Sequence, residues 1–496
     1  MQIEILLLVI SILFFASILV SKASSKLGVP VLLLFLAVGM LFGVDGVGIQ
    51  FNSIHASNMI GTVALCIILF SGGMDTKMED IKPVLGAGVT LATLGVFITA
   101  FITGFAIWLL LDKTSAGTGM GLLSALLLAS TMSSTDSASV FSILRSRGLN
   151  LKHRLRPTLE LESGSNDPMA YVLTITFIAL TKSGESPNYT SAIVMLFVQI
   201  IVGAIAGYLL GKFFVWFINK LKIENPSLYP ILALTCCIFI FAATYFIKGN
   251  SYLAVYIGGL MFGNSRFVHK RSTRNFFDGI SWLSQLVMFL TLGLLVTPSK
   301  LTWNEVILPS IIISAVMILI ARPISVFISM APFKKFKIRD KLFVSWCGLR
   351  GAVPIIFAIL CRAEGVPHSV EIFNIVFCCT LISLIIQGTS LPLAGKWLKV
   401  SDEPEPQKII SNFDIEFQEE IKSATLEVTI TEAILKHGNR LMDLNMPENT
   451  LAIMVRRDNI FFVPTGKTQL LLNDTLLLVS DNNTAMHRAL KAIGAE

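Results

Sequence analysis

Residues 191–219 read SAIVMLFVQIIVGAIAGYLLGKFFVWFIN, an apolar run that contains a single charged residue, Lys212. A helix needs about 20 apolar residues to cross the roughly 30 Å hydrocarbon layer of a bilayer, and this run is longer than that. Because lipid offers no water to pair with backbone N–H and C=O groups, the run must be helical. The stretch therefore predicts a membrane-spanning helix.

Similar runs recur over most of the chain. The protein has 496 residues, of which 54% are hydrophobic and 14% charged, and its mean hydropathy is +0.73. A transmembrane β-barrel is excluded because it would show short alternating strands instead of long apolar runs. We predict an all-α polytopic membrane protein with about thirteen spans, near residues 3–20, 27–44, 56–73, 83–111, 118–143, 157–180, 191–219, 228–246, 250–264, 280–298, 305–331, 342–361 and 369–395.

The loops between these spans differ in charge. Odd-numbered loops contain 20 Lys and Arg residues and even-numbered loops contain 5. Because basic loops stay on the cytoplasmic side, we expect the N-terminus outside and the C-terminus in the cytoplasm. The membrane we expect is the inner (cell) membrane. This topology explains the formal net charge of +7, so we expect no nucleic-acid partner.

The last hundred residues differ in composition. We predict a transmembrane domain over residues 1–398, a polar, proline-containing linker over 399–411 and a small cytoplasmic regulatory α+β domain over 412–496. The domain lacks a GxGxxG sequence, which excludes a complete Rossmann nucleotide-binding unit. Its expected strands are Leu426–Ile430, Ala452–Arg457, Ile460–Val463 and Thr475–Ser480, and its expected helices are Thr431–Gly438 and Asn483–Ile493.

Three spans contain polar sequences where such residues are costly. The fifth span contains Ser133–Ser137, the sixth contains Glu160–Pro168 and the twelfth contains Gly348–Pro354. Serine-rich and Gly/Pro-rich sequences predict breaks in the fifth and twelfth helices. These two spans are seven apart and so cross the membrane in opposite directions, as an inverted repeat predicts. We expect an ion site where the two broken helices cross.

The ionisable residues in these spans have alternative interpretations. Asp136 could bind an ion or cap a half-helix. Arg350 and Glu162 suit a structural ion pair better than a transport role, because a buried arginine needs a carboxylate partner. Arg322 could lie near the cytoplasmic end of its span, with its charge reaching the surface. Asp167 has no basic neighbour in its own helix, so it is the main candidate for transport.

The three motifs together resemble those of the monovalent cation/proton antiporters. The resemblance is to the bacterial potassium/proton branch with a C-terminal regulator-of-potassium-conductance (TrkA-C-like) domain, and it covers nearly the whole chain. It implies two inverted six-helix repeats with crossed, interrupted helices, divided between a dimerising domain and a mobile core. A homodimer is implied, and the tail could bind a regulatory nucleotide.

The same resemblance implies roles for individual residues. The aspartate matching Asp167 binds a monovalent cation or a proton, and the site is lined by positions matching Thr135, Asp136, Ser163 and Asn166. The cation is therefore expected at Asp167 and Asp136. Glu162 and Arg350 match a buried ion pair. The neutral Asn166 implies electroneutral exchange, because electrogenic members have a second aspartate there.

We therefore predict alternating-access exchange of potassium or sodium for protons at one buried aspartate, regulated by the tail and needing no resident cofactor. A tail-gated cation channel is the alternative, although the sequence has no selectivity-filter repeat. An enzyme is not expected, since HExxH, GxSxG and phosphate-binding loops are absent from the sequence.

Overall fold

A computed structural model describes residues 3–27, 30–51, 53–111, 120–147, 149–184, 188–402, 424–435, 438–444, 446, 450–457, 460–480 and 490. The chain divides into two compact units, Met1–Glu403 and Pro404–Glu496. The first unit is helical and the second contains a small β-sheet.

Besides the short 3-10 helix Pro298–Lys300, the described residues of the first unit contain fifteen helices. They are α1 (Ile3–Leu27), α2 (Val31–Phe42), α3 (Ile54–Asp75), α4 (Met78–Leu110), α5 (Leu122–Thr131), α6 (Ser137–Ser146), α7 (Leu155–Lys182), α8 (Tyr189–Lys220), α9 (Leu228–Phe246), α10 (Ser251–Asn264), α11 (Lys270–Leu295), α12 (Trp303–Ser329), α13 (Ile338–Trp346), α14 (Val353–Ala363) and α15 (Ser369–Trp397).

These helices confirm the predicted membrane fold. Seven of those described, α3, α4, α8, α9, α11, α12 and α15, are long and apolar enough to cross a bilayer. Shorter or more polar helices occupy the other predicted spans, and the fifth and twelfth spans are each broken in two. Some boundaries differ from the prediction. For example, α11 begins at Lys270 instead of residue 280, because its first turns are polar and a search for apolar runs misses them.

Helix packing repeats with the spacing of an inverted repeat. The third span, α3, packs along the ninth, α10, and the tenth span, α11, packs along the second, α2. The third and tenth spans are seven apart, and so are the second and ninth. A glycine allows one of these contacts, because a Cβ on Gly259 of α10 would lie 2.2 Å from the Phe70 carbonyl oxygen of α3. The two pairs are therefore related by the same seven-span shift as the two broken spans.

The helices form two groups by their contacts. A panel group consists of α1–α3 and α8–α11, and a core group consists of α4–α7 and α12–α15. Contacts between the groups include those of α3 with α14 and of α10 with α7. The core group contains both broken spans and the polar sequence of the sixth span, so it contains the candidate site.

A short antiparallel pair of strands joins the connection between α6 and α7 to the segment after α15. Strand β1 (Asn150–Leu151), between α6 and α7, pairs with β2 (Ser401–Asp402), which follows α15. The Lys152 N–H also donates to the Val400 carbonyl at 2.9 Å. The connection next to the polar sequence of α7 is therefore held by the segment that leads into the second unit.

The second unit contains the predicted sheet. Its strands β3 (Ala424–Thr429), β4 (Thr450–Arg457), β5 (Ile460–Phe462) and β6 (Thr475–Ser480) lie in the antiparallel order β3-β6-β4-β5. Within the predicted helix Thr431–Gly438, α16 covers Glu432–Leu435, while residues 436 and 437 are not described. The predicted helix Asn483–Ile493 lies outside the described residues except for Leu490.

One ion pair supports this sheet. Arg457 donates to both carboxylate oxygens of Asp474, at 2.9 and 2.6 Å. Burial alone would raise the pKa of Asp474, but the hydrogen bonds from Arg457 and from the Leu471 N–H hold it below its ordinary value. The pair therefore stabilises the unit above the ordinary pKa of an aspartate, and this contribution is lost as the pH falls through the lowered value.

Candidate functional site

The two broken spans meet at their unwound segments. One segment separates α5 from α6 between Thr131 and Ser137, and the other separates α13 from α14 between Trp346 and Val353. The Asp136 N–H donates to the Leu349 carbonyl at 2.8 Å. A Cβ on Gly351 would lie 2.5 Å from Asp136 Oδ2, so the absence of a side chain there permits the approach. The predicted crossing of interrupted helices is confirmed.

Asp136 caps the half-helix α6. Its Oδ1 accepts from the Ser139 N–H at 3.1 Å, and its Oδ2 accepts from the Ser139 hydroxyl at 2.5 Å. These are the contacts of an N-cap residue, which uses a side-chain oxygen to satisfy a free N–H of the first turn. The positive end of the helix dipole further stabilises this carboxylate. The half-helix end and Ser139 therefore provide partners for the charge of Asp136.

Two residues of α7 hold the first unwound segment. Ser163 Oγ donates to the Thr135 carbonyl and accepts from the Ser137 N–H, both at 3.0 Å. The Asn166 side-chain amide donates to Thr135 Oγ1 at 2.6 Å and to the Thr135 carbonyl at 3.3 Å. The structure thus brings Thr135, Ser163 and Asn166 together beside Asp136.

Asp167 follows Asn166 directly and lies in a different electrostatic setting. It is 9% exposed, and the groups that act on its carboxylate are the charge of Asp136 and the side chain of Ser134. Among the salt bridges between described residues, none includes Asp167. A buried carboxylate without a fixed counter-charge is strongly disfavoured as a bare charge, which makes Asp167 the candidate to hold a proton or a cation.

The predicted pairing of Glu162 with Arg350 needs correction. Glu162 Oε1 forms a salt bridge with Arg322 Nη2, and the two side chains are 1% and 2% exposed. Arg322 therefore does not extend to the membrane surface, as considered from the sequence. Its partner lies within the protein, because α12 brings Arg322 against α7, where the Glu162 side chain is buried.

Arg350 instead supports the backbone of the crossing. Its Nη1 donates to the Ser134 carbonyl in the first unwound segment. Its own N–H donates to Ser383 Oγ at 3.0 Å. Ser383 in turn donates to Gln387 Oε1 at 2.6 Å, and Gln387 Nε2 donates to the Trp346 carbonyl at 2.9 Å. Both unwound segments are thereby tied to side chains.

Sequence reasoning missed Ser383 and Gln387. The available signal was their spacing, since two polar residues four apart in the apolar thirteenth span lie on one face of a helix. Both are fully buried, at 0% exposure. Their hydrogen bonds satisfy the freed backbone groups of the twelfth span, which the low-dielectric interior requires.

The residues around the site are unequally buried on its two sides. Glu160, Ser163, Gly164 and Ser165 are half-buried and Ala138 is exposed. In the opposite direction residues 124–135 and 166–170 are all buried. The less buried side of the site is therefore the side toward the end of the unit where α6 connects to α7 through basic residues.

The groups around Asp167 suit a monovalent cation better than a tightly held metal. No cluster of three or more His, Cys, Asp and Glu side chains occurs within the described ranges. The available ligands are carboxylate, hydroxyl and carbonyl oxygens, which are the ligands of hard cations. The arrangement can therefore exchange a weakly held cation for a proton at one carboxylate.

Comparisons with known proteins agree with this geometry. A family model described as "Sodium/hydrogen exchanger, transmembrane" matches residues 10–397. The chain is 40% identical over 481 residues to the K(+)/H(+) antiporter NhaP of Alkalimonas amylolytica, covering 96% of this chain and 81% of that protein. It is 39% identical over 475 residues to the K(+)/H(+) antiporter NhaP2 of Shewanella sp. (strain ANA-3), covering 94% and 80%.

A solved structure has the same fold. The sodium proton antiporter MjNhaP1 from Methanocaldococcus jannaschii superposes with a TM-score of 0.67 at 23% sequence identity. The match covers 79% of this chain and 99% of that chain. At this identity the likeness establishes the fold of the membrane unit.

The corrected ion pair gives a test. Replacing Arg322 with Met should destabilise the protein by about 3–5 kcal/mol, because Glu162 would be buried without its partner. The double variant Glu162→Gln with Arg322→Met should recover much of that loss. The measurement is the thermal unfolding temperature of the purified protein in detergent.

Arg156→Gln is the matched control, because Arg156 and the half-buried Glu160 form a salt bridge at 2.9 Å on α7, in which the arginine is exposed to solvent. Exposed pairs contribute about 0–1 kcal/mol, so this change should have little effect. If Arg322→Met unfolds at the temperature of the control, the pair does not stabilise the fold as stated.

Proposed function

Because the chain belongs to the sodium/hydrogen exchanger family, we propose that it is a monovalent cation/proton antiporter that exchanges potassium or sodium for protons. The names of its K(+)/H(+) antiporter relatives favour potassium. These relatives give no support to the alternative of a tail-gated channel, and they are transporters, not enzymes.

The observation that carries the proposal is the isolation of Asp167. The two neighbouring carboxylates have fixed partners, since Glu162 pairs with Arg322 and Asp136 caps α6. Asp167 is buried without a fixed counter-ion. One carboxylate cannot hold a proton and coordinate a cation at the same time, so competition at Asp167 couples the two fluxes.

The neighbouring residues supply neutral support. Thr135, Ser163 and Asn166 hold the unwound segment in place and offer hydroxyl, amide and carbonyl oxygens beside the carboxylate. The cation binds at Asp167 with Asp136 nearby as a fixed negative charge. Because only Asp167 exchanges its proton, one proton is returned for each cation and the exchange is electroneutral.

Alternating access then requires the core group to move against the panel group. The less buried side of the site faces the end of the unit where α6 joins α7, and the basic loops at this end favour the cytoplasmic side. In this orientation the protein lies in the inner membrane with its N-terminus outside and its C-terminus in the cytoplasm. We also propose that it works as a homodimer, as the family resemblance implies.

We further propose that the C-terminal unit regulates exchange, with a small ligand such as a nucleotide acting on it. Its folded sheet and its connection through β2 to the segment between α6 and α7 support this role. The unit lacks the GxGxxG sequence with which a Rossmann unit binds phosphate at the N-terminus of a helix. A ligand would therefore be bound by other contacts.

Replacing Asp167 with Asn should reduce cation-driven proton flux to background, because an amide neither exchanges a proton nor balances a cation. The measurement is proton movement in reconstituted vesicles, with potassium, sodium and choline supplied in turn. Asp278→Asn, an exposed carboxylate on α11, is the control and should retain wild-type flux. Normal flux from Asp167→Asn in well-folded protein would contradict the site assignment.

Removing the chain after Glu403 should leave exchange intact but shift its dependence on cytoplasmic pH or ligand. The reason is that every proposed ion ligand lies in the first unit, and this truncation keeps the β1–β2 pair. The same vesicle assay is run at several internal pH values. Complete loss of flux in a well-folded truncation would show that the tail is part of the transport machinery.

A further inference from the structure

Asn250 connects the panel group to the core group beside the candidate site. It is the N-cap residue of α10 in the panel group and is fully buried, at 0% exposure. Its side-chain Nδ2 donates to the Pro168 carbonyl of α7 at 2.7 Å. Pro168 follows Asp167 directly in the sequence. A hydrogen bond therefore runs from the panel group to the residue next to the proposed ion-binding carboxylate.

The panel group holds Asn250 in a fixed position. Its Oδ1 accepts from the Leu253 N–H at 3.1 Å, and its own N–H donates to the Gln199 carbonyl of α8 at 2.9 Å. A Cβ on Gly203 of α8 would lie 2.7 Å from the Asn250 carbonyl oxygen, so α8 packs directly against this residue. The backbone and Oδ1 are thus bound within the panel group, and Nδ2 is directed at the core group.

The bond lies on the more buried side of the site. Residues 166–170 are all buried. Beside the bond, Tyr252 of α10 packs edge to face on Tyr171 of α7, with the ring centroids 4.7 Å apart. Both contacts involve residues of α7 that follow Asp167, away from the connection between α6 and α7. The contact of α7 with α10 therefore closes this side of the site.

Movement between the groups would break this bond. Exchange as proposed needs the core group to move against the panel group, and α7 and α10 belong to different groups. The donor and acceptor of a protein hydrogen bond are rarely more than about 3.2 Å apart. Since Asn250 is fixed in the panel group, a shift of α7 by about 1 Å away from α10 is enough to lose the bond.

We propose that Asn250 is a positioning residue for exchange, whose hydrogen bond to the Pro168 carbonyl stabilises the conformation in which this side of the site is closed and is broken when this side opens. The inference rests on the proposed antiport function. In this role Asn250 acts through the backbone of α7 instead of binding the cation. Removing the bond shifts the balance between the two conformations away from the present one.

The test is Asn250→Ser in the full-length protein. Serine keeps a side-chain acceptor for the first turn of α10, so the helix stays capped, but it is too short to reach the Pro168 carbonyl. Loss of one hydrogen bond should shift the balance between the two conformations about three- to tenfold.

The readout is the ratio of the half-maximal cation concentrations at the two membrane faces, measured as flux in inside-out and right-side-out vesicles. Each conformation binds the cation from one face, so the apparent affinity at that face falls as the population of that conformation falls. The ratio of the concentration at the face of the α6–α7 connection to that at the opposite face should rise about three- to tenfold. A purely structural role would lower the unfolding temperature and leave this ratio unchanged.

Asn188→Ser is the matched control, since the same substitution is made at another N-cap. Asn188 is exposed at the start of α8, and its side chain accepts from the Ser191 N–H at 2.9 Å. The control should leave the ratio unchanged. Asn250→Thr is the second variant, to be used if Asn250→Ser folds poorly, because threonine also caps helices and is equally unable to donate to Pro168 from the position of Nδ2.

Two results would overturn the inference alone. One is an unchanged ratio in a folded Asn250 variant while wild-type exchange is abolished by Asp167→Asn, which leaves the antiport function standing. The other is an equal rise in Asn188→Ser, because the effect would then not come from the bond to Pro168. Absence of exchange in the wild type would overturn the proposed function and this inference with it.

Discussion

Two helices can break in the middle of a membrane only if the backbone groups they free are paired inside the protein. In this chain the pairing is mutual. Asp136 N–H bonds the Leu349 carbonyl, Arg350 bonds the Ser134 carbonyl, and Ser163 and Asn166 bond the groups of Thr135. The crossing therefore depends on polar side chains from a third helix, α7, and the same helix carries Asp167. Fold and site share one hydrogen-bond network.

The charges follow from this network. Glu162 is neutralised by Arg322, and the Asp136 carboxylate is satisfied by Ser139 at the start of α6. Arg350 is directed at a carbonyl, so it does not neutralise Asp167. What remains is one buried carboxylate with no built-in counter-charge. Since a bare charge is unstable there, the proposed function has a proton or a cation accompany it whenever the core group moves.

Much of this could be predicted from the sequence. Long apolar runs and loop charges predict the spans, while the serine-rich and Gly/Pro-rich sequences predict the breaks at 132–136 and 347–352. The partner of Glu162 could not be predicted, because two arginines lie in later spans and only packing decides which one reaches it. The polar first turns of α11 were missed because a search for apolar runs does not find them. The close approach of Gly259 to the Phe70 carbonyl depends on tertiary contacts that no local pattern encodes.

The central claim is that a single exchangeable negative charge, on Asp167, binds the cation and the proton in turn. Its most direct test is the voltage dependence of flux in vesicles clamped with an ionophore for an ion that is not transported. One uncompensated charge moved through 100 mV changes the free energy by about 2.3 kcal/mol per cycle, a large effect on rate. The account predicts flux that is nearly independent of membrane potential. A steep voltage dependence, or a transport current, would contradict it and would make Asp136 a second proton carrier.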